Sequence, residues 1–328
     1  MRILLLSNMY PSAERPDYGV FVKRLADALR ERGHEVDESV LGPGARGAVA
    51  TPLAYLRLLR RTRRLVRTRR PEIVYAHYLV PTGLVALAGG APYVVTAHGR
   101  DVANVGTIPF VGVLTRRVIR RARGVICVSA YLAERLPSRP RRLEVIDCGV
   151  DTSLFAPAPR APGDGPRYLT VGSLIERKNV ARLLQAFGRL EAGTLTVVGS
   201  GPLEQELRAA APPNVTFLGR VPPERIVDLY GEHDVYCQTS LVEPQGQALL
   251  EALASARPVV ATQVGGPPEY VTDACGVLVD PLDADHIAAG MRRAAALPVP
   301  CQAAREVAER HSIAVSAARI ERLLTEVS

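Results

Sequence analysis

The stretch MRILLLSNMYPSAERPDYGVFVKRLADALRERGHEVDESVL, residues 1–41, decides the fold class. Its beginning, RILLLSN, is a continuous apolar run, which is typical of a strand buried on both faces of a parallel sheet. FVKRLADALRERG then has apolar residues at helical spacing and ends in a glycine, and HEVDESVL predicts a second strand. This strand–helix–strand order predicts a βαβ unit that opens a doubly wound α/β domain.

The same alternation continues along the chain in two series. Between them lies APAPRAPGDGPR, residues 156–167, whose content of Pro, Gly and Ala is typical of a linker. We therefore predict a Rossmann-like domain over 1–155, a second one over 160–305, and a C-terminal helical segment over 306–328. The further predicted strands are EIVYA, YVVTA, GVICVS and LEVID in the first series, and RYLTVGS, TLTVVGSG, NVTFLGRV, DVYCQTS, RPVVATQ and GVLVD in the second.

Length and composition indicate a globular protein of two domains. The chain has 328 residues, of which 47% are hydrophobic and 23% charged. Residues 73–99 carry no charged side chain, but prolines and glycines interrupt them, so we expect no membrane span there. No signal peptide is recognised, and the five scattered cysteines form no C-x-x-C pair, so we predict a cytoplasmic protein without a metal site.

The charges are unevenly distributed between the two predicted domains. Residues 1–155 hold 25 Lys+Arg and 13 Asp+Glu, a net charge of +12, while the remainder has a net charge of −4, giving the total of +8. The first domain is therefore expected to meet an acidic partner or an anionic surface. Nucleic acid is not expected as that partner, because few aromatic residues accompany the arginines and no nucleic-acid motif occurs.

The segment EPQGQALLEALA, residues 243–254, carries the clearest chemistry. Gly246 precedes a predicted helix, and a helix N-terminus presents backbone N–H groups and a partial positive charge to phosphate. Glu243 and Glu251 flank this terminus, and a carboxylate can accept hydrogen bonds from the hydroxyls of a diol. The pattern alone leaves open whether they bind a ligand or are ordinary helix acids.

The same segment resembles the donor site of retaining glycosyltransferases of family GT4, which have the GT-B fold. The E-x7-E spacing within EPQGQALLEALASARPVVAT carries that resemblance, and further segments agree with it in the expected order along essentially the whole chain. These segments are YPSAERPDYGVFVKRLADALRERGHEV, TAHGRDV, VIDCGVDTSLFAP, VGSLIERKNVARLLQAF, VVGSGPLEQEL and VTFLGRVPPERIVDLY. The resemblance implies two Rossmann-like domains that face a cleft, the second binding the nucleotide sugar and the first the acceptor, with the C-terminal helix crossing back to the first.

The resemblance also implies roles for individual residues. Glu243 would hold hydroxyls of the donor sugar, Glu251 would bind the nucleotide ribose, and Lys178 would contact the diphosphate. His98 would face the donor sugar from the first domain. The remaining donor-binding positions implied by the matched segments are Gly19, Gly172, Ser173, Arg177, Gly246, Gln247 and Ala248. We take His98, Lys178 and Glu243 as the candidate catalytic residues.

Several positions remain open. His77 ends a predicted strand and either lines the same sheet edge or is a core histidine. Asp101 either serves near the acceptor or caps the next helix. The chain also departs from the family pattern at Ser173, where arginine is frequent, and at Gln245, where an aromatic residue is usual. Arg177 is a candidate to replace the missing cation, and Gln245 leaves the donor sugar undetermined.

Two arginine-rich stretches have the composition of basic amphipathic helices. They are residues 54–70, AYLRLLRRTRRLVRTRR, and residues 110–124, FVGVLTRRVIRRARG. Both are candidates for peripheral contact with an anionic membrane, on the inner membrane face, and both are alternatively ordinary outer helices of the first domain.

Together these features predict a retaining glycosyltransferase of the hexosyltransferase type. It would move a sugar from a nucleoside-diphosphate sugar, with UDP or GDP expected, to a hydroxyl of a glycan, glycolipid or small-molecule acceptor. The reaction would use same-face attack, with no metal and no cofactor. The alternatives are a sugar-nucleotide epimerase on the same fold and a non-catalytic sugar-nucleotide-binding protein.

Overall fold

The computed structural model describes residues 1–43, 50–106, 108–159 and 163–328. The chain forms two compact units, Met1–Gly149 with Ile313–Ser328, and Val150–Ser312. Residues 150–155 belong to the second unit, because Phe155 is buried in its core and its carbonyl oxygen accepts a hydrogen bond of 3.0 Å from Arg305. The division between the units therefore precedes the predicted linker, of which residues 160–162 lie outside the described part.

The first unit is built around a parallel six-stranded sheet within the described residues. Its strand order is β2-β1-β3-β4-β5-β6, so the direction of winding reverses between β1 and β3. In chain order the elements are β1 (Arg2–Ser7), α1 (Val20–Glu31), β2 (Glu35–Val40), α2 (Ala50–Arg69), β3 (Ile73–His77), α3 (Thr82–Gly89), β4 (Tyr93–Ala97), α4 (Arg100–Ala103), α5 (Val111–Arg121), β5 (Gly124–Cys127), α6 (Ala130–Ala133) and β6 (Leu143–Val145).

The second unit holds another six-stranded parallel sheet within the described residues, with the strand order β12-β11-β10-β7-β8-β9. Here the winding reverses between β7 and β10. The elements of this unit are β7 (Arg167–Val171), α7 (Val180–Phe187), β8 (Thr194–Val198), α8 (Glu204–Ala210), β9 (Val215–Gly219), α9 (Pro223–Glu232), β10 (Val235–Gln238), α10 (Gln247–Ala254), β11 (Val259–Thr262), β12 (Gly276–Val279), α11 (Ala284–Ala295) and α12 (Gln302–Arg310).

The final helix, α13 (Ile313–Val327), packs in the first unit. Ile320 and Leu324 are buried in the core that β1 and α1 form. Glu321 adds an ion pair to Arg32 and a hydrogen-bond contact of 2.9 Å to His34, just beyond the end of α1. The helix is bound to this unit mainly by apolar burial, since exposed ion pairs contribute little.

Strands buried on both faces account for the apolar runs seen in the sequence. All five residues of β3 and of β4 are buried, which explains the uncharged stretch over 73–99 without a membrane. No helix among the described residues is long and apolar enough to cross a bilayer. The predicted α/β class with two doubly wound sheets is confirmed.

Candidate functional site

Glu243 lies in the loop that leads from β10 to α10, at the carboxyl-terminal edge of the second sheet. Only 7% of the residue is exposed, and its Oε2 atom accepts three hydrogen bonds. The donors are Lys178 Nζ at 2.6 Å, Gln238 Nε2 at 3.0 Å and Ser240 Oγ at 3.1 Å. The carboxylate is thus held in one orientation, and charge-assisted bonds of this kind are the stronger ones.

The backbone of Glu243 is held as firmly as its side chain. Its N–H donates to Val264 O at 3.0 Å, and its carbonyl oxygen accepts from the N–H of Gly266 at 2.9 Å. A Cβ on Gly265 would lie 2.0 Å from that same carbonyl oxygen, so the close approach requires glycine. The acid therefore sits on a rigid loop, as a binding residue should.

Lys178 comes from the turn that follows β7, the other strand at the reversal point of the second sheet. Its side chain is 18% exposed and forms the ion pair with Glu243. The next residue, Asn179, anchors the turn by donating to Thr239 O at 3.0 Å and to Pro281 O at 2.7 Å. The two charges, 65 residues apart in sequence, therefore meet where α/β folds usually bind ligands.

Gly246 begins α10 in the left-handed conformation, with φ of 93°. A Cβ at this position would lie 2.8 Å from Tyr270 Oη and 3.1 Å from Gln238 Oε1, so a larger residue would not fit. The helix is fixed in place because Leu249, Leu250 and Leu253 are fully buried. Gln247 and Ala248 form its first turn, and a helix N-terminus carries a partial positive charge.

Glu251 lies one turn into α10 and contacts Tyr230. The single proton of the Tyr230 hydroxyl is shared between Ala248 O at 2.9 Å and Glu251 Oε2 at 3.2 Å. Burial, together with the neighbouring carboxylate, raises the pKa of Tyr230 well above its ordinary value, so the hydroxyl keeps its proton and remains a donor. The buried Tyr230 thereby fixes the orientation of the Glu251 carboxylate.

The remaining predicted donor-binding positions in the second unit surround Lys178. Gly172 and Ser173 line a small cavity of about 10 Å³, together with Lys178, Gln238 and Ser240. That volume holds about one water molecule. The Arg177 side chain is half-exposed, donates to Val242 O at 3.0 Å and approaches Glu243 Oε2 to 4.0 Å. Arg177 therefore lies on the same side of Glu243 as a second cation, but farther from the carboxylate than Lys178.

Gln238 is a functional candidate that the sequence reasoning missed. Only 5% of the residue is exposed, and its Oε1 atom has no hydrogen-bond partner among the described residues. Its Nε2 atom donates to Glu243, which sets the orientation of the amide. A polar residue at the end of an otherwise apolar strand, VYCQTS, was the available signal, because strand ends at such an edge form sites.

In the first unit, His77 and His98 form a pair at the ends of β3 and β4. His77 Nδ1 lies 3.0 Å from His98 Nε2, and the two rings stack with centroids 5.2 Å apart. His98 also contacts the rings of Phe21 and Tyr78, and its Nδ1 atom lies 3.7 Å from Cys148 Sγ. His77 is 1% exposed, so it lies beneath His98 rather than on the surface.

Burial keeps both imidazoles of this pair uncharged. It lowers the pKa of His98 to about 3 and lowers that of His77 well below its ordinary value, with the neighbouring His98 adding to the second effect. One N–H is therefore shared between the two rings, and His77 Nε2 has no partner among the described residues. The pair can donate or accept a hydrogen bond, but it does not supply a positive charge near neutral pH.

Asp101 is placed as a structural acceptor. Only 3% of the residue is exposed, and its carboxylate accepts from the backbone N–H groups of Leu79, His98, Gly99 and Val102. This geometry supports the capping alternative and leaves the acceptor role a prediction without support. It also removes Asp101 from the acid–base groups that a sugar-nucleotide epimerase would need.

Gly19 has a clear structural reason to be glycine. It precedes α1 with φ of 70°, and a Cβ there would lie 2.5 Å from the carbonyl carbon of Met9. The loop between β1 and α1 therefore folds back on itself, so that Gly19 packs against the backbone of Met9. In the part of the chain that the structure describes, no three His, Cys, Asp or Glu side chains form a metal-binding group.

Comparison with known proteins agrees with this architecture. Residues 19–154 match the family described as Glycosyltransferase Family 4, and residues 165–296 match the family described as Glycosyl transferases group 1. A Mycolicibacterium smegmatis GDP-mannose-dependent alpha-(1-6)-phosphatidylinositol monomannoside mannosyltransferase is 31% identical over 279 residues, which cover 73% of each chain. Its namesake from Mycobacterium tuberculosis is 29% identical over 341 residues, covering 88% of this chain and 87% of that protein.

Solved structures share the whole fold. Sucrose-phosphate synthase from Thermosynechococcus elongatus superimposes with a TM-score of 0.82 at 20% identity and covers 100% of both chains. The Anabaena protein HepE, solved with UDP and glucose, gives a TM-score of 0.77 at 19% identity over 99% of this chain and 100% of that one. The predicted family, enzyme class and fold are confirmed: the chain belongs to glycosyltransferase family 4 and has the GT-B fold.

Proposed function

We propose that the second unit binds a nucleoside-diphosphate sugar and that the enzyme transfers the sugar to a hydroxyl group. The observation that carries this proposal is the Lys178–Glu243 pair beside the N-terminus of α10. Lys178 and the helix N-terminus are suited to a diphosphate, and the oriented carboxylate of Glu243 is suited to sugar hydroxyls. Glu251, one turn into α10 and oriented by Tyr230 of α9, is suited to the ribose.

The departure of the nucleoside diphosphate places negative charge on the leaving oxygens. In this proposal Lys178 leaves Glu243 and stabilises that charge, together with the backbone dipoles of α10. A lysine so placed can do this without a metal ion, and metal independence is part of the proposal. Retention of the anomeric configuration and same-face attack by the acceptor are proposed from the family resemblance.

For the donor, two nucleotide classes have specific support. The relatives of 29–31% identity are named as GDP-mannose-dependent enzymes, and HepE is a fold neighbour solved with UDP and glucose. We propose a GDP-sugar or a UDP-sugar, with GDP-mannose as the first to test. Gln245, Gln247 and Gln238 give the sugar pocket amide groups, so the sugar itself is expected to differ from that of members with an aromatic residue at 245.

For the acceptor, we propose a lipid-linked or anionic saccharide. The net charge of +12 over residues 1–155 and the phosphatidylinositol-linked acceptors named for the relatives both support it. Such an acceptor would place the enzyme at an anionic membrane surface as a peripheral protein, on the cytoplasmic side.

A thermal-shift panel of UDP-, GDP-, ADP- and dTDP-sugars without added metal tests the donor site. A ligand that binds only the folded state raises Tm, so one nucleotide class should give a clear shift. We expect Glu251→Ala to reduce that shift, because the ribose loses its acceptor.

Glu206→Ala is the matched control, since Glu206 is an exposed helix acid of the same unit. It should leave the shift unchanged. A Glu251→Ala protein with the full shift would remove Glu251 from the site, and no shift with any of the four classes would overturn the donor proposal.

A further inference from the structure

The helix α5 differs from the other arginine-rich helix of the first unit in what it exposes at its N-terminal end. Phe110 is 81% exposed and Val113 64% exposed, and Ile108 and Leu114 are 48% and 37% exposed. Phe110 has the largest exposed fraction among the large hydrophobic residues that the structure describes. Single exposed apolar residues are common, but four at one helix end form a patch that calls for a partner.

The arginines of α5 continue this patch along the outer face of the helix. Val113, Arg116, Arg117, Arg120 and Arg121 line a groove of about 360 Å³. Their spacing puts them on one face, while Thr115, Val118 and Ile119 on the opposite face are buried against the sheet. The outer surface of α5 therefore carries apolar side chains at one end and four guanidinium groups beyond them.

Carboxylates do not neutralise these four arginines. No Asp or Glu occurs between residues 102 and 133, and among the described residues none of the four forms an ion pair. Arg116 and Arg120 donate only to Pro137 O and Ser138 Oγ, in a loop that itself contains Arg139 and Arg141, whereas Arg142 is paired with Glu144 and Glu326. The uncompensated positive charge favours an anionic partner.

Phe110 is also held in an unusual backbone conformation. Its φ of 64° is uncommon for a bulky residue and costs free energy, yet the residue begins α5 there with its ring in solvent. The helix α2 shows a weaker version of the pattern, with Leu53 and Leu56 only 42% and 43% exposed. Two of its arginines, Arg61 and Arg63, donate to backbone carbonyl oxygens of the unit.

We infer that α5 is the membrane-docking surface of this enzyme, with Ile108, Phe110 and Val113 inserted at the lipid interface and the arginine groove holding phosphate groups of anionic phospholipids. The inference deepens the proposed membrane contact and does not depend on which donor is used. An apolar tip beside a basic face is the arrangement by which interfacial helices bind anionic bilayers.

Sedimentation of the full chain with vesicles tests this inference. We expect binding to phosphatidylcholine vesicles that contain phosphatidylglycerol, and little binding to phosphatidylcholine alone. Arg117→Gln with Arg121→Gln should lower the partition coefficient about 20-fold to 30-fold, since one arginine near such a surface contributes roughly a factor of five. Phe110→Ser should lower it roughly tenfold, because a large apolar side chain no longer enters the interface.

The matched control is Arg60→Gln with Arg64→Gln, which removes the same charge at the same helical spacing from α2. It should lower the partition coefficient far less. Equal losses in the α2 and α5 variants, or no binding of the parent to anionic vesicles, would overturn the inference. So would a parent dimer that Phe110→Ser converts to a monomer, since a second copy would then cover the patch.

The donor thermal shift of each variant separates this inference from the proposed transfer reaction. Both α5 variants should keep the full shift of the parent, because the donor site lies in the second unit. Loss of vesicle binding with the shift intact supports the docking surface, whereas loss of both would show that the variant had unfolded, and Phe110→Ser would then be replaced by Val113→Ser. Binding to duplex DNA that Phe110→Ser leaves unchanged, without binding to vesicles, would assign the arginines to a different polyanion.

Discussion

The two units both place polar groups at the carboxyl-terminal ends of neighbouring strands, but the charges of these groups differ. In the second unit, the strands on either side of the reversal point, β7 and β10, lead to Lys178 and Glu243, which are both charged and paired. In the first unit, β3 and β4 end at His77 and His98, whose pKa values are lowered by burial so that both are neutral. One sheet edge therefore holds fixed charges, and the other holds a neutral hydrogen-bonding pair.

The difference shows how two similar sheets can hold polar groups of different charge. In the proposed reaction, a leaving diphosphate requires a positive charge that is already in place, and Lys178 of the second unit is the proposed source. A neutral imidazole can contact a sugar hydroxyl without competing for that diphosphate. The comparison therefore predicts that substitutions of the charged pair act on catalysis, while substitutions of the histidine pair change the response to pH.

The largest effect is expected for Lys178→Ala. The variant loses the cation of the donor site, and kcat/KM should fall by about 100-fold to 1000-fold, as for the loss of one preorganised group on a developing negative charge. Steady-state transfer assays measure this.

Lys23→Ala is the natural control, because Lys23 is the other lysine of the chain and forms an exposed pair with Asp27. It should retain full activity. Lys178→Arg should recover part of the rate, whereas an unchanged kcat/KM in Lys178→Ala would break the distinction drawn between the two units.

A smaller effect is expected for Gln238→Leu. Its amide donates to Glu243, so the leucine leaves the acid with fewer constraints on its orientation, and kcat/KM should fall roughly tenfold. The loss should appear in kcat more than in KM if Gln238 positions the acid during transfer.

The exposed Gln205→Leu in α8 makes the same chemical change away from the site and should have no effect. A Gln238→Leu enzyme that lost stability but kept its kcat would assign the amide to folding alone.

The smallest effect concerns the response of the first unit to acid. Because the pKa of His98 is lowered to about 3 in the folded chain, the unfolded chain binds more protons below its ordinary value of about 6.5. The free energy of unfolding should therefore decrease as pH falls from about 6.5 toward 3. Above pH 6.5, His98 should not contribute to the pH dependence of that free energy. Tm recorded between pH 7.5 and 4.5 measures this, and His77→Asn should reduce the slope.

Histidine NMR signals give an independent check of the same point. The rings of His77 and His98 should keep the chemical shifts of neutral imidazole down to pH 5. A His98 signal that titrates near pH 6.5 would contradict the prediction that this pair is neutral. Both units would then carry charge at their sheet edges.

The local geometry of the candidate donor residues was largely predictable, because these residues lie close together in sequence. Glu243, Gly246 and Glu251 lie within one loop and one helix, so their spacing reports their geometry directly. The partners of these residues were not predictable in the same way. Gln238, Ser240 and Tyr230 contact the two acids, but no spacing rule connects Tyr230 with Glu251 across 21 residues.

The first unit was less predictable because its pair depends on burial. The sequence indicated that His77 and His98 each end a strand, yet whether His77 lies at the surface depends on what covers the edge of the sheet. Phe21, Tyr78 and Cys148 come from three separate segments and enclose the rings. The same packing turned Asp101 from a candidate site residue into an acceptor for four backbone N–H groups.

The sequence alone determined the two α/β sheets and the segments that end at each sheet edge, because apolar period and strand ends are local properties of the chain. The family followed from the resemblance of its ordered motifs. The tertiary structure decided which of those ends carry charge. Lys178 and Glu243 are paired only because β7 and β10 are neighbours in the sheet. His77 and His98 are neutral only because side chains distant in sequence exclude water from them, and desolvation depends on all neighbours in space.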